Sequence, residues 1–192
     1  MGTRGLWGLR KNGMDKVTYN HYDSYPDCLG DIITAFVHSV SDDELNEMFE
    51  RIELVEDSSM PTPEQIKHCE DRNAVRLNVS NQSNRDWYCL LHSAQNNPEL
   101  YIGDKPLRYM IDSHNFILDS LFCEYAYIIN LDEQALEFYV GYQEEPDPTN
   151  RYGITHDDGY YPCKMLKAYP FDIIRSSPVQ EIIEHMNDLI KE

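Results

Sequence analysis

FCEYAYIINLDEQALEFYVGY, residues Phe122 to Tyr142, decides the fold class. Its two halves are rich in Tyr, Ile, Phe and Val, which suit a pleated, half-buried surface, and the polar Asp132-Glu133-Gln134 between them suits a turn. The stretch predicts a β-hairpin with strands near 122–131 and 135–142, the clearest core signal in the chain. Residues 163–169 predict a further strand. A second hairpin is predicted at the start, where the runs 5–10 and 16–20 flank Lys11-Asn12-Gly13, because Asn-Gly tolerates the left-handed backbone of a tight turn.

Between the hairpins the pattern is helical. Leu29, Ile32, Ile33, Phe36 and Val37 recur at three-and-four spacing behind Pro26, which suits a first helical turn. Ser41 with Glu44, Thr62 with Gln65 and Ser177 with Gln180 have the spacing of capping boxes. These predict helices over 42–54, 63–72 and 178–191, with one more over 84–95. Residues 143–162 hold Pro146, Pro148, Gly153, Gly159 and Pro162 and predict a long mobile loop. The expected class is α+β in one domain spanning 1–192: an antiparallel sheet from an N-terminal and a C-terminal hairpin, helices between and a C-terminal helix.

Thirty-four acidic against 16 basic residues give a net charge of −18. Such a charge repels nucleic acid phosphates and anionic membrane faces, so neither is expected as a direct partner. With 41% hydrophobic residues the chain still has enough apolar area for a core. There is no apolar run of about 18 residues that would span a membrane, and the first residues lack the apolar region of a secretion signal, so a cytoplasmic location is expected. Cys28, Cys69, Cys89, Cys123 and Cys163 are widely spaced and read as reduced, mostly buried thiols. His156-Asp157-Asp158 lacks the spacing of a calcium loop and reads as a solvated acidic turn, so no metal and no cofactor is expected.

Two segments carry the candidate chemistry. A tight hairpin brings residues near 3–5 beside residues near 19–22. Thr3, Arg4, Tyr19, His21, Asp23, Ser24 and Tyr25 are therefore expected to form a polar pocket: Arg4 fixing an anion, His21 oriented by Asp23, tyrosines stacking on a small ligand. The competing reading makes Asp23 or Ser24 a helix cap and the rest half-buried packing. The second segment is 42–57, with eight acidic residues against Arg51. Glu44, Glu47, Glu50 and Glu53 recur every three residues, a row that suits a basic protein partner or imitates DNA phosphates, or else is simply a solvated face. Residues 1–16 are basic by contrast, with Arg4, Arg10, Lys11 and Lys16 against Asp15.

Two resemblances bear on function. Gly2-Thr3 ahead of a hairpin resembles the junction cleaved in N-terminal-nucleophile hydrolases of the proteasome type, which implies a layered fold and a Thr3 nucleophile. The supporting sheet lysine of that family has no counterpart between Lys16 and Lys67. Met1-Gly2-Thr3-Arg4-Gly5, the run Tyr19-Asn20-His21-Tyr22-Asp23-Ser24-Tyr25-Pro26 and Leu29-Gly30 are similar to a group of hypothetical bacterial and phage proteins, with a further likeness at 125–132. That resemblance implies a phage-type source and carries no activity with it; together with the polar pocket, the expected role is a binding or inhibitory protein for a small anionic ligand or a basic protein partner, an antagonist of a host system.

Overall fold

The computed structural model describes residues 2–156 and 158–191. Met1 of the opening motif, Asp157 of the acidic turn and Glu192 lie outside the described residues. The class is α+β, built on a five-stranded sheet. In sequence the elements are β1 (Gly5–Lys11), β2 (Met14–Asn20), α1 (Asp31–Ser39), α2 (Asp42–Arg51), β3 (Glu53–Val55), α3 (Pro63–Glu70), α4 (Trp87–Leu90), β4 (Tyr109–Ile111), β5 (Tyr125–Asn130), β6 (Ala135–Val140), β7 (Lys164–Pro170), α5 (Phe171–Ser176) and α6 (Val179–Lys191).

Both predicted hairpins form, and β7 joins the second. The sheet order is β2-β1-β5-β6-β7. The sheet is mixed rather than antiparallel: β1 pairs parallel with β5, Gly5 opposite Tyr125 and Arg10 opposite Asn130. Two hairpins laid side by side meet through their central strands, and here those strands run the same way. The turns sit at one end as a result, and they are tied together. Asn12 (φ 52°) and Gly13 (φ 73°) take the left-handed backbone of the first turn, and their N–H groups donate to the Asp132 carboxylate of the second at 2.7 and 3.1 Å. At Gly8 a Cβ would lie 2.1 Å from the carbonyl oxygen of Lys16, so only glycine lets β2 approach there.

Alternation splits the strands between two faces. Trp7, Leu9, Tyr127, Ile129, Leu136 and Phe138 pack on one face against the helical layer, where Leu29, Ile33, Phe36 and Val37 of the first helical stretch and Ile182, Ile183 and Met186 of α6 are buried. Leu6, Val17, Ala126, Ile128 and Tyr139 form a smaller cluster on the other face with Ile117, Cys123 and Cys163.

Two of the expected helices need correction. The helix expected over 84–95 shrinks to α4 because Asp86 caps it late, its Oδ1 accepting from the N–H groups of Tyr88 (2.8 Å) and Cys89 (3.3 Å). Leu91 (φ −114°) then breaks it, and His92–Ala94 make a tighter turn. The helix expected over 42–54 stops at Arg51, and Glu53–Val55 leave it to pair parallel with β4. The segment 143–162 is strapped to the sheet: Arg151 forks onto Glu137 of β6, Tyr152 donates to Asp15 at 3.0 Å, and Gln143 bridges to Tyr161. On α6, His185 Nδ1 meets the Tyr169 hydroxyl at 2.9 Å.

Glu137 is the buried charge of the second face, 3% exposed. Asn130 donates to it at 2.7 Å and Tyr139 at 2.9 Å, and Arg151 completes the set. Burial alone would lower the Arg151 guanidinium, but the Glu137 carboxylate in contact raises it. Arg151→Ala strands that carboxylate in a low-dielectric site, and breaking one side of a buried pair costs about 3 kcal/mol. Urea unfolding checks this: a loss under about 1 kcal/mol identifies the pair as no stronger than a surface contact.

Candidate functional site

The seven expected pocket residues fall into separate groups. Thr3, Asp23 and Ser24 close on one another. The Thr3 N–H donates to Asp23 at 3.2 Å, its hydroxyl accepts from the Ser24 N–H at 2.8 Å, and Asn20 donates to the Ser24 hydroxyl at 2.9 Å. Tyr127 donates to the Ser24 carbonyl at 3.0 Å. Thr3 and Ser24 are buried. The set locks the chain as it leaves β2. Neither Asp23 nor Ser24 caps the wide turn Pro26–Gly30 that leads into α1. Arg4 lies over the Phe122 ring, 5.1 Å from its centre, and Tyr25 lies against Tyr125 at 5.5 Å.

His21 and Tyr19 belong elsewhere. Tyr19 meets His21 Nδ1 at 3.3 Å, and the His21 ring faces two side chains of the 87–95 segment, His92 at 6.0 Å and Tyr88 at 6.3 Å. His92 in turn touches the rings of Tyr88 at 5.0 Å and Tyr22 at 5.3 Å. Gln95 Oε1 accepts from the His21 N–H at 2.9 Å, while the Gln95 carbonyl accepts from the Trp7 indole at 2.6 Å, so the segment is pinned at both ends of one residue. Arg76 donates to the Tyr22 hydroxyl at 2.9 Å with one of its five N–H groups.

Two features distinguish this cluster from ordinary packing. His92 is 3% exposed, yet its Nδ1 has no hydrogen-bond partner, a state that costs about 1–3 kcal/mol. Burial holds the His92 imidazole below its usual range, and the neighbouring His21 and Arg76 push the same way. His21 and Arg76 are exposed beside it. Tyr88 also lines an open cleft of about 480 Å³ with Asp57, Ser59, Arg85 and Asp86. There Asp86 is tied to Asn81 at 2.6 Å, and burial followed by the Asp86 charge raises the Asp57 carboxyl.

Residues of the expected partner-binding row are engaged within the chain. Glu44 closes the capping box with Ser41, Glu47 meets Arg51 at 3.4 Å, Glu50 meets Lys11 at 2.7 Å and Glu53 meets Arg108. Since Glu53 stands on β3, the row is not one helical stripe. Among the described residues no group of three His, Cys, Asp or Glu side chains is placed to hold a metal ion, and no helix is long and apolar enough to cross a membrane.

Arg76, Tyr88, His92 and Gln95 are the members that reading the sequence missed. The apolar residues of 84–95 fit a helix and hid them, although Asp86 behind a run of Ser and Asn was a visible late cap. No protein-family model, curated protein or solved structure matches this chain.

Because the folded His92 titrates below the ordinary 6.5 and the unfolded one near it, the unfolded chain binds the extra proton as pH falls through 6.5. Stability attributable to this residue is therefore complete above about pH 6.5 and declines on acidification toward the depressed folded value. Urea midpoints at pH 7.5 and 5.5 should differ more for the native chain than for His92→Phe, and equal differences refute the assignment.

Proposed function

We propose that this protein is a binding protein whose site is the cluster of His21, His92, Tyr19, Tyr22, Tyr88 and Arg76, and that it takes a small ligand combining a planar ring with an anionic group. The carrying observation is the buried imidazole of His92, its Nδ1 without a hydrogen-bond partner, set among aromatic rings beside the exposed His21 and Arg76. Each component has its physical reason. Rings stack on a planar body, the Arg76 guanidinium presents a planar fork of donors to a carboxylate or phosphate, and His21 adds a donor that strengthens on protonation. The orphaned His92 nitrogen is a hydrogen-bonding group whose cost is relieved by a bound partner.

In this reading Arg4 stands at the border of the site. Burial raises the Tyr19 phenol, and the Arg4 charge acts on it in the opposite direction. Thr3 serves the turn rather than the ligand, since its hydroxyl already accepts from Ser24. Neither a hydrolase centred on Thr3 nor a phosphate-imitating acidic row gains support from this geometry: the acidic residues already have cationic or capping partners.

Phenyl phosphate is a probe with the required ring and anion, and inorganic phosphate is the control for the anion alone. In an NMR titration phenyl phosphate should shift the ring protons of both His21 and His92 at concentrations about tenfold lower than inorganic phosphate, about 1.4 kcal/mol of ring contribution. Arg76→Ala should abolish the His21 shift. Equal potency of the two probes, or shifts that survive Arg76→Ala, would refute the site.

A further inference from the structure

A second surface stands at the end of the sheet where β1 and β5 begin. Tyr25, Phe122 and Tyr142 are 46%, 43% and 56% exposed. They are not scattered. Tyr25 touches Tyr125 at 5.5 Å, Phe122 carries the Arg4 guanidinium, and the Tyr142 phenol donates to Glu124, whose Oε1 also accepts from the Arg4 N–H at 3.1 Å. Single exposed rings are ordinary on a protein surface, whereas a contiguous group of Tyr, Phe and Arg has the composition of an interface centre.

The backbone beneath the patch is fixed at a cost. Tyr142 adopts φ 55°, a left-handed conformation that costs a side chain of this size about 1–2 kcal/mol. Before it, Gly141 lies so close to Cys123 that a Cβ would stand 2.2 Å from the Cys123 carbonyl oxygen. Three hydrogen bonds hold the bend: Gly141 N–H to the Glu124 carbonyl at 2.9 Å, Tyr142 N–H to the Ser120 carbonyl at 2.7 Å, and Gln143 N–H to the Ser120 hydroxyl at 3.0 Å. The bend spends this strain on presenting a tyrosine to solvent, where burial returns little. Strain held in place by surrounding bonds and directed at an exposed ring is a mark of a functional position.

Charge selects the occupant. Glu124 stands among the rings, and Asp23, Asp27 and Asp31 stand together nearby around Cys28. Arg4 is the neighbouring cation, and it is already spread over Phe122. Electron-rich rings bordered by carboxylates attract ammonium and guanidinium groups. A second copy of this chain, or any polyanion, would meet a net charge of −18. We propose that this patch docks a basic polypeptide segment, with Lys or Arg side chains lying over Tyr25, Tyr125 and Tyr142 and Glu124 as their counter-charge. The surface borders the histidine cluster at Arg4 but does not depend on that reading.

The test uses the full chain and a fluorescent eight-residue peptide of alternating Arg and Lys, with an octa-glutamate peptide as control, at near-physiological salt. The basic peptide should bind and the acidic one should not. Tyr142→Gly is the informative variant, because it removes the ring while relieving the left-handed strain: affinity should fall at least tenfold with Tm unchanged or raised. Tyr25→Ala should act in the same direction. Glu124→Gln should weaken binding several-fold, whereas Glu64→Gln, an equal change of charge on α3, should leave it within twofold. The proposal is overturned if the basic peptide does not bind, if Tyr142→Gly binds as the native chain does, or if Glu64→Gln weakens binding as much as Glu124→Gln. A native-mass dimer that Tyr142→Gly converts to monomer would also overturn it, by making a second copy the occupant.

Discussion

The parallel pairing of β1 with β5 is the constraint on which the rest of the molecule depends. Antiparallel neighbours are joined by two residues, but parallel neighbours need a connection that returns the chain to its starting end. Here everything from residue 21 to residue 124 is that connection. It lays α1 and α2 over the Trp7 and Tyr127 face of the sheet. It also brings 87–95 back past the end of β2, where Gln95 binds the Trp7 indole with its carbonyl and the His21 amide with its side chain. The histidine cluster thus forms where the crossover passes the strand it left. Its members are close in space because the sheet is mixed.

The same arrangement accounts for the polar second face. Helices of the crossover occupy one side of the sheet and leave Leu6, Ala126 and Ile128 to be covered by the segments 112–123 and 143–163. Irregular segments supply fewer apolar side chains than a helix does. Glu137 at the middle of β6 gives this face a fixed point, satisfied by Asn130, Tyr139 and the Arg151 fork. Buried ionic groups add little net stability against apolar replacements, but they penalise any arrangement that leaves one of them alone. Arg151 accordingly fixes where the long loop lies more than how stable the sheet is.

Local chemistry was legible in the sequence, and pairing across distance was not. Asn12-Gly13 marked its turn, Ser41 with Glu44 and Thr62 with Gln65 marked their helix starts, and all three appear where the residues put them. The parallel contact escaped because Leu6 through Leu9 suits either direction of neighbour. Glu53 and Leu54 fell within the helix expected over 42–54 for a similar reason: the strand partner of Glu53–Val55, Tyr109–Ile111, lies more than fifty residues away. At the candidate site His21 and Tyr19 are neighbours two residues apart at the end of β2, so their proximity was legible locally. Tyr88, His92 and Arg76 reach them only through the crossover, and the apolar spacing of Trp87, Leu90, Leu91 and Ala94 supplied a complete reason for their neighbourhood without any site. Nothing local announces that Phe122 lies under the Arg4 guanidinium, because the two are more than a hundred residues apart.

Charge separates the two exposed surfaces. A ligand anion approaching a chain of net charge −18 is repelled at long range, and beyond about 8 Å that repulsion is screened at physiological ionic strength. An anion site on such a chain therefore has to work at contact distance, through donors held in place beforehand. Arg76 held by Tyr22 and His21 held by Gln95 and Tyr19 meet that requirement. For a basic segment the same field works in favour: it raises the encounter rate, and the rings near Glu124 need only select among the cations that arrive. A uniformly acidic surface would attract basic chains without choosing where they bind. In the proposed docking, the strained Tyr142 would give that attraction an address, since a rigid ring beside a carboxylate distinguishes one part of an acidic surface from the rest.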